Sequence, residues 1–407
     1  MPYVSYTPTT VFTKVMFDFG NIGNFKFSGT VKVSVSDGFS DLDYLFGLVN
    51  STDLTMNPYS NEIVWSAQVK TNIAATLAVI SQFANIKFST LTDYDYSGDY
   101  LYSIASPADV GLLSDINISY MNSNSTRLLG ISSINSDLFG YVGSRGDIFI
   151  NYTGSAFSVE GVTFADSTKS RQILLHELLH SLGLSLPFNL DFSVKENFNL
   201  LKDLGFDKFG FSVSSKEAFN KEYFTIMSYD DENYATLNNA YTPMILDVIA
   251  LQQAYGEGGG TTSTGDDIVK AGNFGYRAYF DAGGKDTIDL ANYASGAHLN
   301  MGEQIKSADH LVGLLTSQED FINITKGNNL TALRWFYGEF ESAVGSSGSD
   351  FISGNYLENS INGEVGDDSI NGGDGNDTLY GGDGNDTFDW DANQRGGDDS
   401  MVGGLGN

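Results

Sequence analysis

The sequence predicts two domains of different class: a mixed α+β domain over residues 1–254 and an all-β parallel β-roll over residues 255–407. Three observations predict this. A nine-residue repeat runs through the C-terminal part. A Gly/Thr run, Tyr255-Gly-Glu-Gly-Gly-Gly-Thr-Thr-Ser-Thr-Gly265, precedes it and reads as a flexible connection. Charge steps at the same place: residues 1–254 carry 26 acidic and 14 basic side chains, residues 255–407 carry 25 and 7.

The elements of the first part follow from periodicity. Residues 29–35 alternate like a half-buried strand. From Glu62 to Phe83, Ile73, Leu77 and Ile80 recur at helical spacing. Residues 146–152 read as a short strand. A second helix starts after Asp166 or Ser167 as cap. A third runs from Pro243 to Tyr255, with Pro in its first turn and Ile245, Val248, Ile249 and Gln252 on one face.

The C-terminal repeat has five registers, starting at Gly345, Gly354, Gly363, Gly372 and Gly381. Their sixth positions are Asp350, Asn359, Asp368, Asp377 and Asp386; their eighth are Ile352, Ile361, Ile370, Leu379 and Phe388. The rule is G-G-x-G-x-D-x-U-x, with U apolar. The glycines make a tight turn, the Asp faces the gap between stacked coils, and U points inward to build one apolar ladder. A hard cation that accepts six to eight oxygens fits such a gap, which points to calcium. Without the ion the Asp rows repel. The other reading, a low-complexity acidic linker, does not explain five copies with a conforming apolar column. Asn359 marks a weakened site. The segment from Asp281 to Leu290, D-A-G-G-K-D-T-I-D-L, has the same acid–glycine grammar and reads as an additional calcium site.

Composition narrows the chemistry. The chain has 407 residues, formal net charge −30, no Cys and four His. That charge excludes nucleic-acid binding by phosphate neutralisation. The missing Cys exclude disulfides, thiolate metal sites and cysteine nucleophiles. The start, MPYVSYTPTT, lacks the basic and apolar regions of a secretory signal. The most apolar stretch, residues 73–80, is far short of the ~20 residues that span a bilayer, so no membrane insertion is expected.

Two of the four His fall in H-E-x-x-H, at His176, Glu177 and His180. Two imidazoles at i, i+4 on one helical face can chelate one zinc, with the Glu placed as general base for the attacking water. Leu174, Leu175, Leu178, Leu179 and Leu182 supply the buried remainder of that helix. The other reading is two surface His beside a salt-bridging Glu.

The line continues as HELLHSLGLSLP, which resembles the metzincins. Phe224-Thr-Ile-Met227-Ser228-Tyr229 resembles the Met-turn of that clan. The helix from Pro243, the D-A-G-G-K-D segment and the nonapeptides resemble the serralysins, secreted bacterial metzincins with a C-terminal calcium roll. The resemblance implies a metzincin-type catalytic domain and a zinc metalloendopeptidase acting on extended polypeptides. It makes His176 and His180 zinc ligands, Glu177 the base and Met227 a packing residue under the metal. It makes Tyr229 a zinc ligand of the resting enzyme that assists the oxyanion. The strand carrying Ile148 and Ile150 resembles the edge strand that pairs with substrate. Asp266, Asp281, Gly283, Asp286 and Glu341 fall where the family binds calcium before the repeats, with Glu339 beside them. The resemblance further implies a monomer, a proteinaceous inhibitor as a partner, and an extracellular location reached through a C-terminal signal and a one-step exporter. The final residues read as the start of another repeat, so the expectation is a C-terminus cut short; little room precedes the catalytic helix for a propeptide.

One position departs from the family. Its third His falls at 186, where this chain has Leu186, which cannot bind zinc. Three outcomes remain open: Tyr229 persists as third ligand; Asp191 or Asn189 swings in; or zinc binds poorly and the domain only binds peptide. His298 and His310 read as structural or surface residues.

Overall fold

The structure is a computed structural model that describes residues 3–5, 25–36, 65–94, 115–121, 130–132, 148–151, 162–185, 202, 204–211, 221–228, 240–306, 308–326, 328, 330–389 and 397–406. The chain forms two compact units. The first comprises Met1–Asp191, Ile226–Ala235 and Ala250–Gly258; the second comprises Phe192–Thr225, Thr236–Ile249 and Gly259–Asn407. The last crossing lies inside the Gly/Thr run. The sequence places one break after residue 254, whereas segments 192–225 and 236–249 fall in the second unit. The physical reason is aromatic: Phe206, Phe209, Phe211 and Phe224 pack their rings around the buried Trp335.

In the first unit β1 (Tyr3–Ser5) pairs antiparallel with β2 (Phe25–Phe27). The alternating segment forms β3 (Thr30–Val31) and β4 (Val33–Ser36). They are separated at Lys32, whose N–H donates to Asp115 instead of a ladder partner. Val31, Val33 and Val35 are buried as the alternation predicts, but Ser34 is buried as well, so β4 is enclosed on both faces rather than half-buried. Helix α1 (Ala67–Phe83) starts where Ser66 caps it by accepting from the Val69 N–H. Its face Ile73, Leu77, Ile80 and Phe83 is buried. After β5 (Lys87–Phe88) come β6 (Thr92–Tyr94), β7 (Ile116–Met121), β8 (Gly130–Ser132) and β9 (Ile148–Asn151). The five-stranded sheet has the order β6-β4-β7-β9-β8, parallel except for β8.

This order corrects one expectation. The strand of Ile148 and Ile150 is not an edge: β9 pairs with β7 on one side and β8 on the other, and both isoleucines are fully buried. Among the described residues the edge on that side is β8. A short antiparallel strand added after β7 covers the flank that β9 would otherwise present.

Helix α2 (Lys169–Ser181) follows, and α3 (Ile245–Tyr255) is the last helix before the Gly/Thr run. The predicted cap of α2 shifts by one or two residues. Ser167 takes a left-handed φ of 63° and Asp166 pairs with Arg171 at 3.1 Å, so Thr168 is the cap. At the start of α3, the fully buried Asp247 accepts from the Met244 N–H and the Thr225 hydroxyl.

The second unit is built from two sheets. One is all parallel: β10 (Ile268–Lys270), β12 (Asp286–Asp289), β16 (Phe340–Val344), β18 (Ser360–Asn362), β20 (Thr378–Asp383) and β22 (Ser400–Leu405), in that order. The other contains β11 (Gly275–Phe280), β13 (Ala297–Glu303), β14 (Val312–Ser317), β15 (Ala332–Tyr337), β17 (Phe351–Asn355), β19 (Ser369–Gly373) and β21 (Thr387–Phe388), ordered β11-β15-β14-β13-β17-β19-β21. Ile288, Ala343, Ile361 and Leu379 from the first sheet share one core with Leu299, Phe336, Ile352 and Ile370 from the second.

The expectation of an all-parallel roll holds for the first sheet and for the repeats. It fails at residues 297–337, where β13, β14 and β15 run antiparallel and α4 (Gln318–Lys326) intervenes. That stretch lacks the nine-residue grammar. Its apolar runs, such as the wholly buried Ala332–Tyr337, need partners on both faces and find them through a hairpin.

Candidate active site

Every residue of α2 from Ser170 to Ser181 is buried, which is unusual for a helix carrying two His, a Glu and an Arg. The leucines explain the burial: Leu174, Leu175, Leu178, Leu179 and Leu182 have no exposure. The helix is buried on all sides, so its polar residues are enclosed along with the leucines.

The two imidazoles are oriented by backbone. His176 Nδ1 lies 2.8 Å from the Ile226 carbonyl oxygen, and His180 Nδ1 lies 2.8 Å from that of Leu184. A carbonyl only accepts, so each Nδ1 carries the proton and each Nε2 keeps its lone pair. The rings meet edge to face with centroids 4.7 Å apart. The second contact comes from the helix end. Gly183 takes a left-handed φ of 106°, the Leu184 N–H returns to the Leu179 carbonyl, and the Leu184 carbonyl is thereby brought to His180.

Burial sets the charges. It lowers His176 to about 4, assisted by Lys169, and His180 to about 3, assisted by His176. Burial pushes Glu177 up to about 8. Two neutral imidazoles beside a desolvated carboxyl are a donor set that suits a cation such as zinc. A positive ion beside Glu177 would also restore its ionised form.

Met227 is fully buried and directly follows Ile226, whose carbonyl orients His176. Tyr229, Leu186, Asn189 and Asp191, on which the third ligand depends, lie outside the described residues. Among the described residues no group of three or more His, Cys, Asp or Glu side chains is gathered closely enough to hold a metal. The described part of the site therefore supplies two imidazoles and a carboxyl group. His298 stacks on Phe321, and His310 packs edge-on against Phe280 and Tyr337; both are structural.

In the second unit the expected calcium residues separate into kinds. Asp281 has both oxygens partnered: it accepts from Thr262, the Gly283 N–H and the Glu339 N–H. Glu341 accepts from the Asp286 N–H. Asp266 is exposed and accepts from Lys285 N–H, and the exposed Glu339 accepts from Tyr356. The carboxylates of Asp286, Asp368, Asp377 and Asp386 each keep one buried oxygen, Oδ2, without a partner. Burial pushes Asp286 up to about 7, assisted by Asp281. Burial also pushes Asp368 and Asp377 up to about 6, assisted by neighbouring carboxylates. Unpartnered buried carboxylate oxygens are costly, and an oxygen-seeking cation such as calcium satisfies them. One further carboxylate continues the column of Asp377. Asp399 accepts the Asp377 N–H 22 residues upstream, whereas the other coils repeat every 18. The extra residues before it break the register, which hides it from a nine-residue scan.

Comparison with known proteins agrees with both halves. A family model for the RTX calcium-binding nonapeptide repeat matches residues 353–388 in four copies. The metallopeptidase AprA of Pseudomonas marginalis is 27% identical over 384 residues, covering 88% of this chain and 67% of that protein. The metalloprotease AprA of Pseudomonas entomophila is 30% identical over 205 residues, 46% of this chain and 37% of the relative. A serralysin of Proteus mirabilis is 27% identical over 209 residues, 47% and 36% respectively. The matches thus span two thirds of the first relative and little more than a third of the other two. Repeat model, relatives and the H-E-x-x-H helix together mark the chain as a serralysin-like protein with C-terminal RTX repeats.

Proposed function

We propose that the protein is a secreted zinc-dependent endopeptidase that cleaves extended polypeptides, with a calcium-stabilised roll. The observation that carries the reading is the buried helix α2, on which both Nδ1 atoms are tied to backbone carbonyls and Glu177 stands one residue from the first imidazole. When bound, zinc supplies Lewis-acid polarisation of the scissile carbonyl and of the attacking water. His176 and His180 would hold it through Nε2, the nitrogen that the backbone bonds leave unprotonated. Glu177 takes the proton from the attacking water and returns it to the leaving amine nitrogen. The substrate adds as an extended strand to the sheet edge that β8 forms among the described residues. Secretion accords with a roll whose acidic coils stay loose at low calcium and fold where calcium is plentiful. No helix among the described residues is long and apolar enough to cross a membrane.

Leu186 favours a second reading, a peptide-binding protein that has lost catalysis. Zinc content and hydrolysis separate the two. The enzyme reading expects stoichiometric zinc and cleavage of an unfolded protein substrate, with Glu177→Gln lowering the rate by ~100-fold or more while zinc is retained. No bound zinc and no Glu177-dependent cleavage would overturn it.

A further inference from the structure

The sixth-position residues of the repeats stand in two columns, because each coil returns after two half-turns. Phe351, Ser369 and Thr387 are in register in one sheet; Ser360, Thr378 and Ser400 are in register in the other. One column is Asp350, Asp368, Asp386; the other is Asn359, Asp377, Asp399. In both, the side chain accepts the backbone N–H of the member above it: Asp350 N–H to Asp368 at 2.7 Å, Asp368 to Asp386 at 3.2 Å, Asn359 to Asp377 at 2.8 Å, Asp377 to Asp399 at 3.0 Å. That bond uses Oδ1, and the rungs differ in the other atom.

At Asp368, Asp377 and Asp386 the Oδ2 is buried and unpartnered. Asp350 has both oxygens partnered instead. Its Oδ2 accepts the Ser346 N–H at 2.6 Å, and its Oδ1 accepts the Ala297 N–H at 2.6 Å and the Ser346 hydroxyl at 2.9 Å. Asn359 has both side-chain polar atoms partnered too. Its Oδ1 accepts the Asn355 N–H at 2.8 Å, and its Nδ2 donates to the Glu341 carbonyl and to Asn355 Oδ1, both at 3.2 Å. An amide NH₂ between two oxygens stands where a cation would stand in a carboxylate rung.

The cause lies at the second position of each repeat. Glu364, Gly373 and Gly382 take left-handed φ values of 72°, 97° and 107°. This turns the Glu364 and Gly373 N–H groups back to the Asn362 and Asn371 side chains, away from the sixth-position carboxylate. Ser346 and Asn355 are not left-handed, and their N–H groups point at Asp350 and Asn359.

We infer that calcium enters the repeat columns at the rungs of Asp368, Asp377 and Asp386, while the rungs of Asp350 and Asn359 are closed by protein donors and need none. The first repeats are then a calcium-independent cap on which the calcium-requiring coils assemble. This rests on the calcium-binding reading of the repeats but divides them, since Asn359 lies inside the matched span 353–388.

The test is calcium titration calorimetry on the full chain, stripped with chelator, with calcium as the only ligand. Asp377→Asn is expected to lose at least one bound ion. Asn359→Ala is expected to keep the parental number. Asn359→Asp, whose new oxygen would face the Glu341 carbonyl and Asn355 Oδ1, is expected to gain one. An ion lost from Asn359→Ala overturns the assignment, as does a folded Asn359→Asp that gains none. If Asn359→Asp does not fold, the contrast between Asn359→Ala and Asp377→Asn decides. A parent chain that binds no calcium overturns the calcium reading itself, which is distinguishable from a parent that binds calcium at the wrong rungs.

Discussion

His176 and His180 are neutral at physiological pH because burial removes the water that would stabilise a charge, and the carbonyls of Ile226 and Leu184 fix which nitrogen keeps its proton. The pair is thus ready to bind metal without first losing protons. Among the described residues it has no third donor, and Leu186 stands where the resemblance places one. A partner that only orients a ligand is worth ~10–100-fold in metal affinity, so a whole ligand is worth more. Leu186→His is therefore expected to raise zinc affinity by more than about 100-fold, read by competition with a chromogenic chelator, and to raise peptide hydrolysis with it. Unchanged zinc affinity would mean that another side chain already fills the position. At this scale part of the site was legible: the H-E-x-x-H spacing puts both imidazoles and Glu177 on one helix, and the structure buries all three there. The carbonyls that orient them were not, because Ile226 is 50 residues away from His176 and a backbone oxygen leaves no residue-type signature.

At the scale of the element, α2 works through its end as much as its face. Gly183 lets the chain turn back with a left-handed φ of 106°, and this turn delivers the Leu184 carbonyl to His180. A side chain in that conformation costs ~1–2 kcal/mol. Gly183→Ala is expected to lower stability by about that amount, measured by denaturant midpoint, and to weaken zinc retention because His180 loses its orienting partner. Loss of stability with zinc retention untouched would detach the turn from the site. Gly183 as a helix terminator is readable from the sequence; its second duty is not. Strand neighbours were legible only in part. Alternation identifies β4 and β9, but says nothing of which strand lies at the edge. All four residues of β9 pair with β7 and three of them, 148–150, also with β8; the three-residue β8, with Gly130 and Ser132 about Ile131, carries too few apolar positions to announce itself. The repeats show the opposite balance, since one Asp and one apolar residue at fixed spacing specify coil, column and core together. Their limit is the inserted stretch before Asp399, which breaks the period.

For the whole molecule, charge is the dominant quantity, and its sign of action depends on calcium. The net −30 is concentrated in the C-terminal part, where 25 acidic side chains face 7 basic ones. In calcium-stripped protein the folded roll holds Asp286 up to about 7 and Asp368 and Asp377 up to about 6, whereas an unfolded chain releases those protons near the ordinary value of 3.8. Between those limits the folded state binds more protons than the unfolded state, so its stability falls as pH rises through the window and recovers as pH falls. Calcium reverses the slope. The ion binds ionised carboxylates, protons compete for the same oxygens, and stability conferred by calcium declines as pH falls below about 6. Thermal unfolding followed by circular dichroism should therefore show the calcium-responsive transition moving up between pH 7.5 and pH 5 in calcium-free buffer, and down over the same interval in saturating calcium. A stripped protein whose transition also moves down on acidification would show that the buried carboxylates are ionised in the folded state without metal, and the unpartnered Oδ2 atoms would then need a different explanation.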